Sequence, residues 1–197
     1  MIEIEKNFDL RVGEKEKIIS GAKFLGKREI TDVYFDSKDF SLTTKDYWLR
    51  QRNGRWELKV PVIGIKTDDK AIDRYTELES DKEIIKELKL NKDKQIKDSL
   101  AASSIFPFAT IITKRETYQK GEYHLDFDEM DFGFVTFEVE IMVKDESEIP
   151  LAEKKIADFV KKQGIDSAKG RGKVQEYLFR KNKKHYNALV AAGVIRK

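Results

Sequence analysis

Residues 125–140, LDFDEMDFGFVTFEVE, alternate acidic and large apolar side chains on both sides of a turn signal. A period of two predicts strands with two chemically different faces. With Asp131-Phe132-Gly133 as a three-residue loop and Gly133 in the left-handed position such hairpins favour, Met130 faces Phe134, Asp128 faces Thr136 and Asp126 faces Glu138. That register gathers Asp126, Asp128, Glu138 and Glu140 on one face and Leu125, Phe127, Phe137, Val139 and Ile141 on the other. A two-residue loop would set Asp126 against Phe137 and split the acids, so the longer loop is the reading that leaves one dry face. Like charges directly opposite on paired strands destabilise a sheet. The acidic cluster therefore needs neutralising, and a divalent cation with oxygen ligands is the natural candidate.

The rest of the composition narrows the chemistry. Zero cysteines exclude disulfides, thiolate metal sites and cysteine nucleophiles, and two histidines leave little for zinc, so a metal here is held by oxygen. The 39 Lys+Arg nearly balance the 36 Asp+Glu, for a net charge of +3, which is not the footprint of a nucleic-acid binder. No apolar run approaches a membrane span and the opening MIEIEKNF carries no signal-peptide pattern, so a cytoplasmic protein with no membrane partner is expected. At 197 residues the chain is long enough for a substantial core and is read as one domain over residues 1–197.

Residues 2–8 alternate as a strand, with Glu3, Glu5 and Asn7 on one face and Ile2, Ile4 and Lys6 on the other. Ile18, Ile19, Ala22 and Leu25 recur at helical spacing, predicting a helix over 13–25 that stops at Gly26. A short strand at 31–36 follows. In residues 47–60, YWLRQRNGRWELKV, Asn53-Gly54 is a strong two-residue hairpin signal. It places Trp48, Arg50, Arg52, Arg55, Glu57 and Lys59 on one face and Leu49, Trp56 and Leu58 on the other. After Pro61 and the 66–70 segment, residues 71–79 read as a strand carrying Tyr75 and Glu77. Residues 81–100 read as one or two helices broken near Asn91, in a region closed by Pro107. Residues 108–119 are a β-branched strand with Ile111, Thr113 and Arg115 on one face. Past the acidic hairpin, a helix from Pro150 to Lys162 shows an apolar stripe of Leu151, Ile156, Phe159 and Val160 and ends at Gly164. A last helix, about 173–192, buries Val174, Tyr177, Leu178 and Leu189.

About eight strands suited to antiparallel pairing carry charge on one face and apolar residues on the other. A solvated surface sheet would show the same pattern, each exposed ion pair contributing ~0–1 kcal/mol. Segregation of charge by strand favours closure instead. Arg50, Arg52, Lys59 and Arg115 gather cations in mid-chain strands, while Glu3, Glu5, Asp126, Glu138 and Glu140 gather anions nearer the ends. A closed sheet of about eight strands leaves an interior wide enough for one small ligand. With apolar faces outward beneath helices, that interior would be acidic on one side and basic on the other. Arginine forks suit phosphate oxygens and a carboxylate-held hard cation is the usual partner of phosphate chains, so a metal-bridged polyphosphate fits.

These residues resemble the CYTH, or triphosphate tunnel metalloenzyme, superfamily. The match runs in order through Ile2-Glu3-Ile4-Glu5, Trp48-Leu49-Arg50-Gln51-Arg52, Trp56-Glu57-Leu58-Lys59, Tyr75-Thr76-Glu77-Leu78, Thr113-Lys114-Arg115, Asp126-Phe127-Asp128, Asp131-Phe132-Gly133, Glu138-Val139-Glu140 and Lys173 before Tyr177-Leu178. It covers almost the whole chain and is most like the animal thiamine triphosphatase branch. The resemblance implies an α+β fold in which an eight-stranded antiparallel β-barrel, with helices packed outside, binds a linear triphosphate with magnesium (Mg2+). It implies that Arg50, Arg52, Lys59, Arg115 and Lys173 hold the phosphates; Lys173 is a helix residue that the strand pattern alone does not place. Glu3, Glu5, Asp126, Glu138 and Glu140 would bind one or two metal ions, and a carboxylate such as Glu5 would orient the attacking water. Lys59 and Tyr75 resemble the family's proton-transfer pair, which favours an alkaline optimum. Trp48, sharing a face with Arg50, is placed to stack on a cationic thiazolium, although a tryptophan packed in a barrel is the alternative. Trp56 is read as core, Glu77 as a further lumen carboxylate, and the protein as a monomer.

The chain departs from the superfamily's E-x-E-x-K signature at Asn7, with the lysine displaced to Lys6. Period-two geometry turns Lys6 away from the lumen, so weaker substrate binding or a lower rate than in relatives with the lysine is expected. The resemblance implies thiamine triphosphate as the substrate. Inorganic tripolyphosphate, class IV adenylate cyclase chemistry and a non-catalytic polyphosphate-binding module are the competing readings. His124, His185 and the 181–184 basic cluster are read as structural or solvated.

Overall fold

Every described strand finds two neighbours. The computed structural model describes residues 1–9, 13–64, 72–165 and 170–195. In chain order the elements are β1 (Ile2–Phe8), α1 (Glu14–Ile19), β2 (Lys23–Ser37), β3 (Trp48–Arg52), β4 (Arg55–Pro61), β5 (Asp73–Leu78), α2 (Asp81–Glu87), α3 (Ile96–Ala102), β6 (Ile105–Lys120), β7 (Tyr123–Met130), β8 (Val135–Val143), α4 (Ile149–Gln163), α5 (Lys173–Lys181) and α6 (Lys183–Ala191). The strands close in the order β1-β5-β4-β3-β2-β6-β7-β8, an eight-stranded antiparallel barrel with helices on its outside, in the expected α+β class. Among the described residues no helix is long and apolar enough to cross a membrane.

Cα packing divides the chain into two compact units. The first comprises Met1–Glu29, Val62–Thr76 and Thr113–Lys173. Its core joins Ile4, Phe8, Leu125, Phe137, Val139 and Ile141 of the strands to Ile149, Ile156, Phe159 and Val160 of α4. Full burial of a side chain such as Phe137 contributes about 1.5–3 kcal/mol, so this strip fixes which face of β1, β7 and β8 lies under the helix. Lys6 shares the covered face, its ammonium 5.5 Å from the Phe8 ring centroid. The β7–β8 turn follows the three-residue reading: Met130 N–H donates to Phe134 O at 2.8 Å, Gly133 has φ 74°, and Asp126 lies opposite Glu138.

The second unit comprises Ile30–Pro61, Glu77–Ile112 and Val174–Lys197. Asn53 and Gly54 both have positive φ, 47° and 84°, as a type I′ turn requires. The turn sets Arg50 opposite Glu57 and Trp48 opposite Lys59. Leu49, Trp56 and Leu58 pack with Ile84, Ile96 and Leu100 of α2 and α3; Trp56 is thus core.

Several boundaries differ from the sequence expectation. The helix predicted over 13–25 ends at Ile19 because Ser20 leaves the helical region and Gly21 takes φ 74°. Lys23 then starts a fifteen-residue strand on which Leu25 is exposed. Pro107 lies inside β6 rather than before it, where a missing ladder donor is tolerated near a strand's start. Leu151 is exposed and not part of the α4 stripe. The predicted 173–192 helix is two, because the Asn182 side chain accepts from His185 N–H and starts a new helix. The 66–70 segment and Ala71 fall outside the described residues.

His185 anchors α6 within the second unit. Thr43 Oγ1 has one proton and gives it to Asp36 Oδ2 at 2.6 Å. His185 Nε2, 2.7 Å from the same hydroxyl, is therefore the donor of that second bond. This leaves Nδ1 as the bare nitrogen, with no partner among the described residues, while Phe40 stacks on the ring at 4.0 Å. Burial, opposed by Asp36, lowers the His185 pKa to about 4. A histidine whose folded pKa is depressed contributes stability that is full above the unfolded value and lost as pH falls towards the folded one. Unfolding free energy should fall by about 2–3 kcal/mol through His185 alone between pH 6.5 and 4. Denaturant titrations of wild type and His185→Phe across this window read the effect, and parallel slopes for the two proteins would refute it.

Candidate active site

The charged faces follow from the same alternation that builds the cores. In the first unit, turning Ile4, Leu125, Phe127, Phe137 and Val139 under α4 leaves Glu3, Glu5, Asn7, Asp126, Asp128, Glu138 and Glu140 on the opposite face. Cross-strand register sets these side by side. Glu5 lies opposite Glu140 on β8 and Asp73 on β5, Asn7 opposite Glu138, and Glu3 opposite Tyr75.

Arg115 neutralises most of the β7–β8 acids. It forks onto Asp128, with Nε–Oδ1 and Nη2–Oδ2 both 2.6 Å, bonds Glu138 Oε2 at 2.7 Å and also donates to Asp126. Thr117 Oγ1 donates to the second Asp126 oxygen at 2.6 Å. Lys173, at the first residue of α5, brings its ammonium to 3.6 Å from Asp128 Oδ2. Burial pulls the Arg115 pKa down, but Glu138, Asp128 and Asp126 outweigh it and hold the guanidinium well above its ordinary range. For Glu138, burial leads in raising the pKa; Asp128 and Glu5 add to the rise, and Arg115 and Lys173 oppose it.

In the second unit cations and acids pair in equal number, Arg50, Arg52 and Lys59 with Asp32, Glu57 and Glu77. Arg52 forks onto Asp32, with Nε–Oδ1 2.8 Å and Nη2–Oδ2 3.1 Å. Arg50 Nη2 lies 2.7 Å from Glu57 Oε2 and 3.4 Å from Glu77 Oε1, and Lys59 Nζ lies 3.6 Å from the same Glu77 oxygen. Burial would lower the Arg50 pKa, yet Tyr34, Asp32, Glu57 and Glu77 hold it well above its ordinary range. Trp48 is buried and its indole N–H donates to Asp46 Oδ1 at 2.8 Å.

Of the residues singled out from sequence, Glu3, Glu5, Tyr75, Arg115, Asp126, Glu138, Glu140 and Lys173 thus belong to the first unit and Trp48, Arg50, Arg52 and Lys59 to the second. Asp32 and Asp128 were not among the predicted site residues. Asp128 lay on the predicted acidic face, but its grip on Arg115 depends on the β6–β7 register. Asp32, which is 0% exposed, is the register partner of Arg52 on β2, and only that pairing reveals its role.

The oxygen donors suit a hard divalent cation in chemistry, and the Glu5–Glu140 pair is a like-charge neighbourhood that a cation would relieve. As they stand, no three acidic or histidine side chains among the described residues are gathered tightly enough to enclose one; Arg115 occupies three of the carboxylates. Taken separately, each face has the chemistry to bind an anion through its guanidinium and ammonium groups and a hard cation through its carboxylates.

The CYTH domain family model matches residues 1–171. The thiamine-triphosphatase of Homo sapiens is 29% identical over 79% of this chain and 74% of its own length. That of Macaca fascicularis is 28% identical over 96% and 90%. Among solved structures, a Pyrococcus horikoshii OT3 protein superposes with a TM-score of 0.63 at 22% identity, covering 91% of this chain and 99% of the other. A Hippeastrum adenylyl cyclase-like protein, described as having a dominant triphosphatase activity, gives 0.54 at 18% identity, covering 91% and 94%.

Proposed function

The chain belongs to the CYTH domain family, and on that premise we propose that it hydrolyses thiamine triphosphate to thiamine diphosphate and phosphate with magnesium as cofactor. The observation that supports this reading most directly is the pairing of cations with carboxylates, Arg50, Arg52 and Arg115 on the strands and Lys173 at the start of α5, each beside an acid it could exchange for a phosphate oxygen. That two relatives bear the name thiamine-triphosphatase supports the choice of thiamine triphosphate as the substrate. Residues 1–197 are taken as one such domain, acting as a monomer.

In this reading Arg50, Arg52, Lys59, Arg115 and Lys173 bind phosphate oxygens, the guanidiniums as forks and the ammoniums as point charges. Glu3, Glu5, Asp126, Glu138 and Glu140 hold magnesium. When bound, magnesium would neutralise phosphate charge and favour ionisation of a coordinated water. Glu5 orients the attacking water by accepting its hydrogen bond. Little covalent work falls to the protein, because phosphoryl transfer is helped chiefly by positioning and charge stabilisation. Lys59 and Tyr75 pass the proton, which sets an alkaline optimum because an ordinary lysine is protonated at neutral pH. Trp48, its edge fixed by Asp46, offers a ring face to the thiazolium.

Steady-state hydrolysis of thiamine triphosphate, tripolyphosphate and ATP, with magnesium and with chelator, tests this, together with an assay for cyclic AMP. Thiamine triphosphate should give the highest kcat/KM and chelator should abolish turnover. A much better tripolyphosphate substrate would overturn the thiamine assignment, and no turnover at all would leave a polyphosphate-binding module.

A further inference from the structure

Asn7 is 3% exposed, and its side-chain oxygen has no hydrogen-bond partner among the described residues. A buried carbonyl without a donor costs free energy, and the neighbours fixed by register cannot supply one cheaply. Glu138 lies directly opposite on β8, and Glu5 lies two residues back on the same face of β1. The backbone cannot easily turn Asn7 away. Its carbonyl accepts from Gly170 N–H at 2.9 Å, and Gly170 sits so close that a Cβ there would meet Phe8 C at 2.9 Å and Asp9 N at 3.0 Å. Lys6 and Phe8, on either side in sequence, are committed to the covered face. The cations of this face are engaged by other acids: Arg115 Nη2 donates to Glu138 Oε2 at 2.7 Å and Lys173 Nζ lies 3.6 Å from Asp128 Oδ2. An acceptor whose register neighbours are carboxylates is satisfied by a further cation or by its coordinated water.

We propose that the Asn7 side-chain oxygen is a neutral donor to the divalent cation, completing the set contributed by Glu5 and Glu138. The inference rests on the divalent-cation reading of the proposed function and deepens it by assigning Asn7 to the metal rather than to the phosphate. An amide oxygen is a usual ligand for hard cations and adds no charge. A lysine at the same place would put a positive charge beside the metal, so the asparagine exchanges one phosphate contact for a firmer hold on the cation.

Manganese(II) titrated into the full chain without substrate, followed by electron paramagnetic resonance, tests this independently of turnover. Asn7→Leu should raise the manganese Kd about tenfold, Asn7→Lys should raise it further, and Asn7→Asp should keep or tighten it. Metal-free Asn7→Leu should unfold at or above the wild-type temperature, because the unpaired carbonyl is gone. An unchanged Kd in Asn7→Leu, or an Asn7→Asp variant as weak as Asn7→Leu, would overturn the assignment while wild-type binding leaves the cation reading intact. Absence of manganese binding by the wild type would overturn both. If Asn7→Leu does not fold, the contrast of Asn7→Asp with Asn7→Lys decides in the same way.

Discussion

Arg115→Met should leave the protein about 3–5 kcal/mol less stable at neutral pH and lower triphosphate turnover by about two to three orders of magnitude. The stability loss comes from Asp126, Asp128 and Glu138, which lose the guanidinium that all three share. Burial and the neighbouring carboxylates already raise the Glu138 pKa against the opposition of Arg115, and removing the guanidinium lets it rise further. An acid whose folded pKa is raised favours the folded state below its unfolded pKa and loses that contribution as pH rises through the folded value. The penalty should therefore shrink on acidification and be largest near neutrality. Magnesium should restore part of it, by binding only the folded form. Chemical denaturation at several pH values, with and without magnesium, checks each step. A loss independent of both pH and magnesium would show that Arg115 acts by packing alone, and Arg115→Lys provides a folded comparison if the methionine variant is too unstable.

Asp36→Ala should cost a similar amount, about 3–5 kcal/mol, with little change in KM for the triphosphate in the fraction that remains folded. The Asp36 carboxylate accepts from Leu42 N at 2.9 Å, Thr43 N at 2.9 Å, Thr43 Oγ1 at 2.6 Å and Ser37 N at 2.7 Å. Removing it leaves buried donors unpaired at about 1–3 kcal/mol each, with partial relief where water reaches them. It also frees the hydroxyl that positions His185. Hydrogen exchange at Leu42 and Thr43 should accelerate together with exchange in α6. A protected α6 in a destabilised Asp36→Ala would break the link drawn between the turn and that helix. Arg115 and Asp36 thus predict opposite patterns: one loss recoverable by metal and coupled to turnover, the other neither.

Period-two alternation made the two hairpins legible before any coordinates, because Gly133 and Asn53-Gly54 admit few turn geometries and each fixes a register. The same alternation along β1 sets Lys6 on the face of Phe8 and Asn7 on the face of Glu5 and Glu138. The helix predicted over 13–25 failed for a local reason. Ile18, Ile19, Ala22 and Leu25 match helical spacing, but Gly21 adopts a left-handed conformation that ends the run, and spacing carries no information about φ. Asn182 interrupted the C-terminal helix in the same way, by offering a cap inside a periodic pattern. The partners of the cations were least visible. Asp32 meets Arg52, and Asp128 meets Arg115, as cross-strand neighbours; each pairing depends on where a distant loop starts and stops. The excess of acids over cations on the first unit's face was legible, but which acids Arg115 would satisfy was not.

Closure of the sheet has a consequence for how the chain is made. β1 pairs with β5, setting Ile2 beside Thr76, and with β8, setting Ile2 beside Val143. A ribosome delivers the chain at about 5–20 residues per second, so β1 has left it for several seconds before β8 exists. The pairings of β8, with β7 and with β1, are the last that synthesis permits, and of the two the β1–β8 seam closes the longer stretch of chain. It is also the seam that faces Glu5 with Glu140 and Asn7 with Glu138. Glu5 and Glu140 therefore meet only after Arg115 of β6 has emerged, and the seam closes with the guanidinium that bonds Glu138 already made.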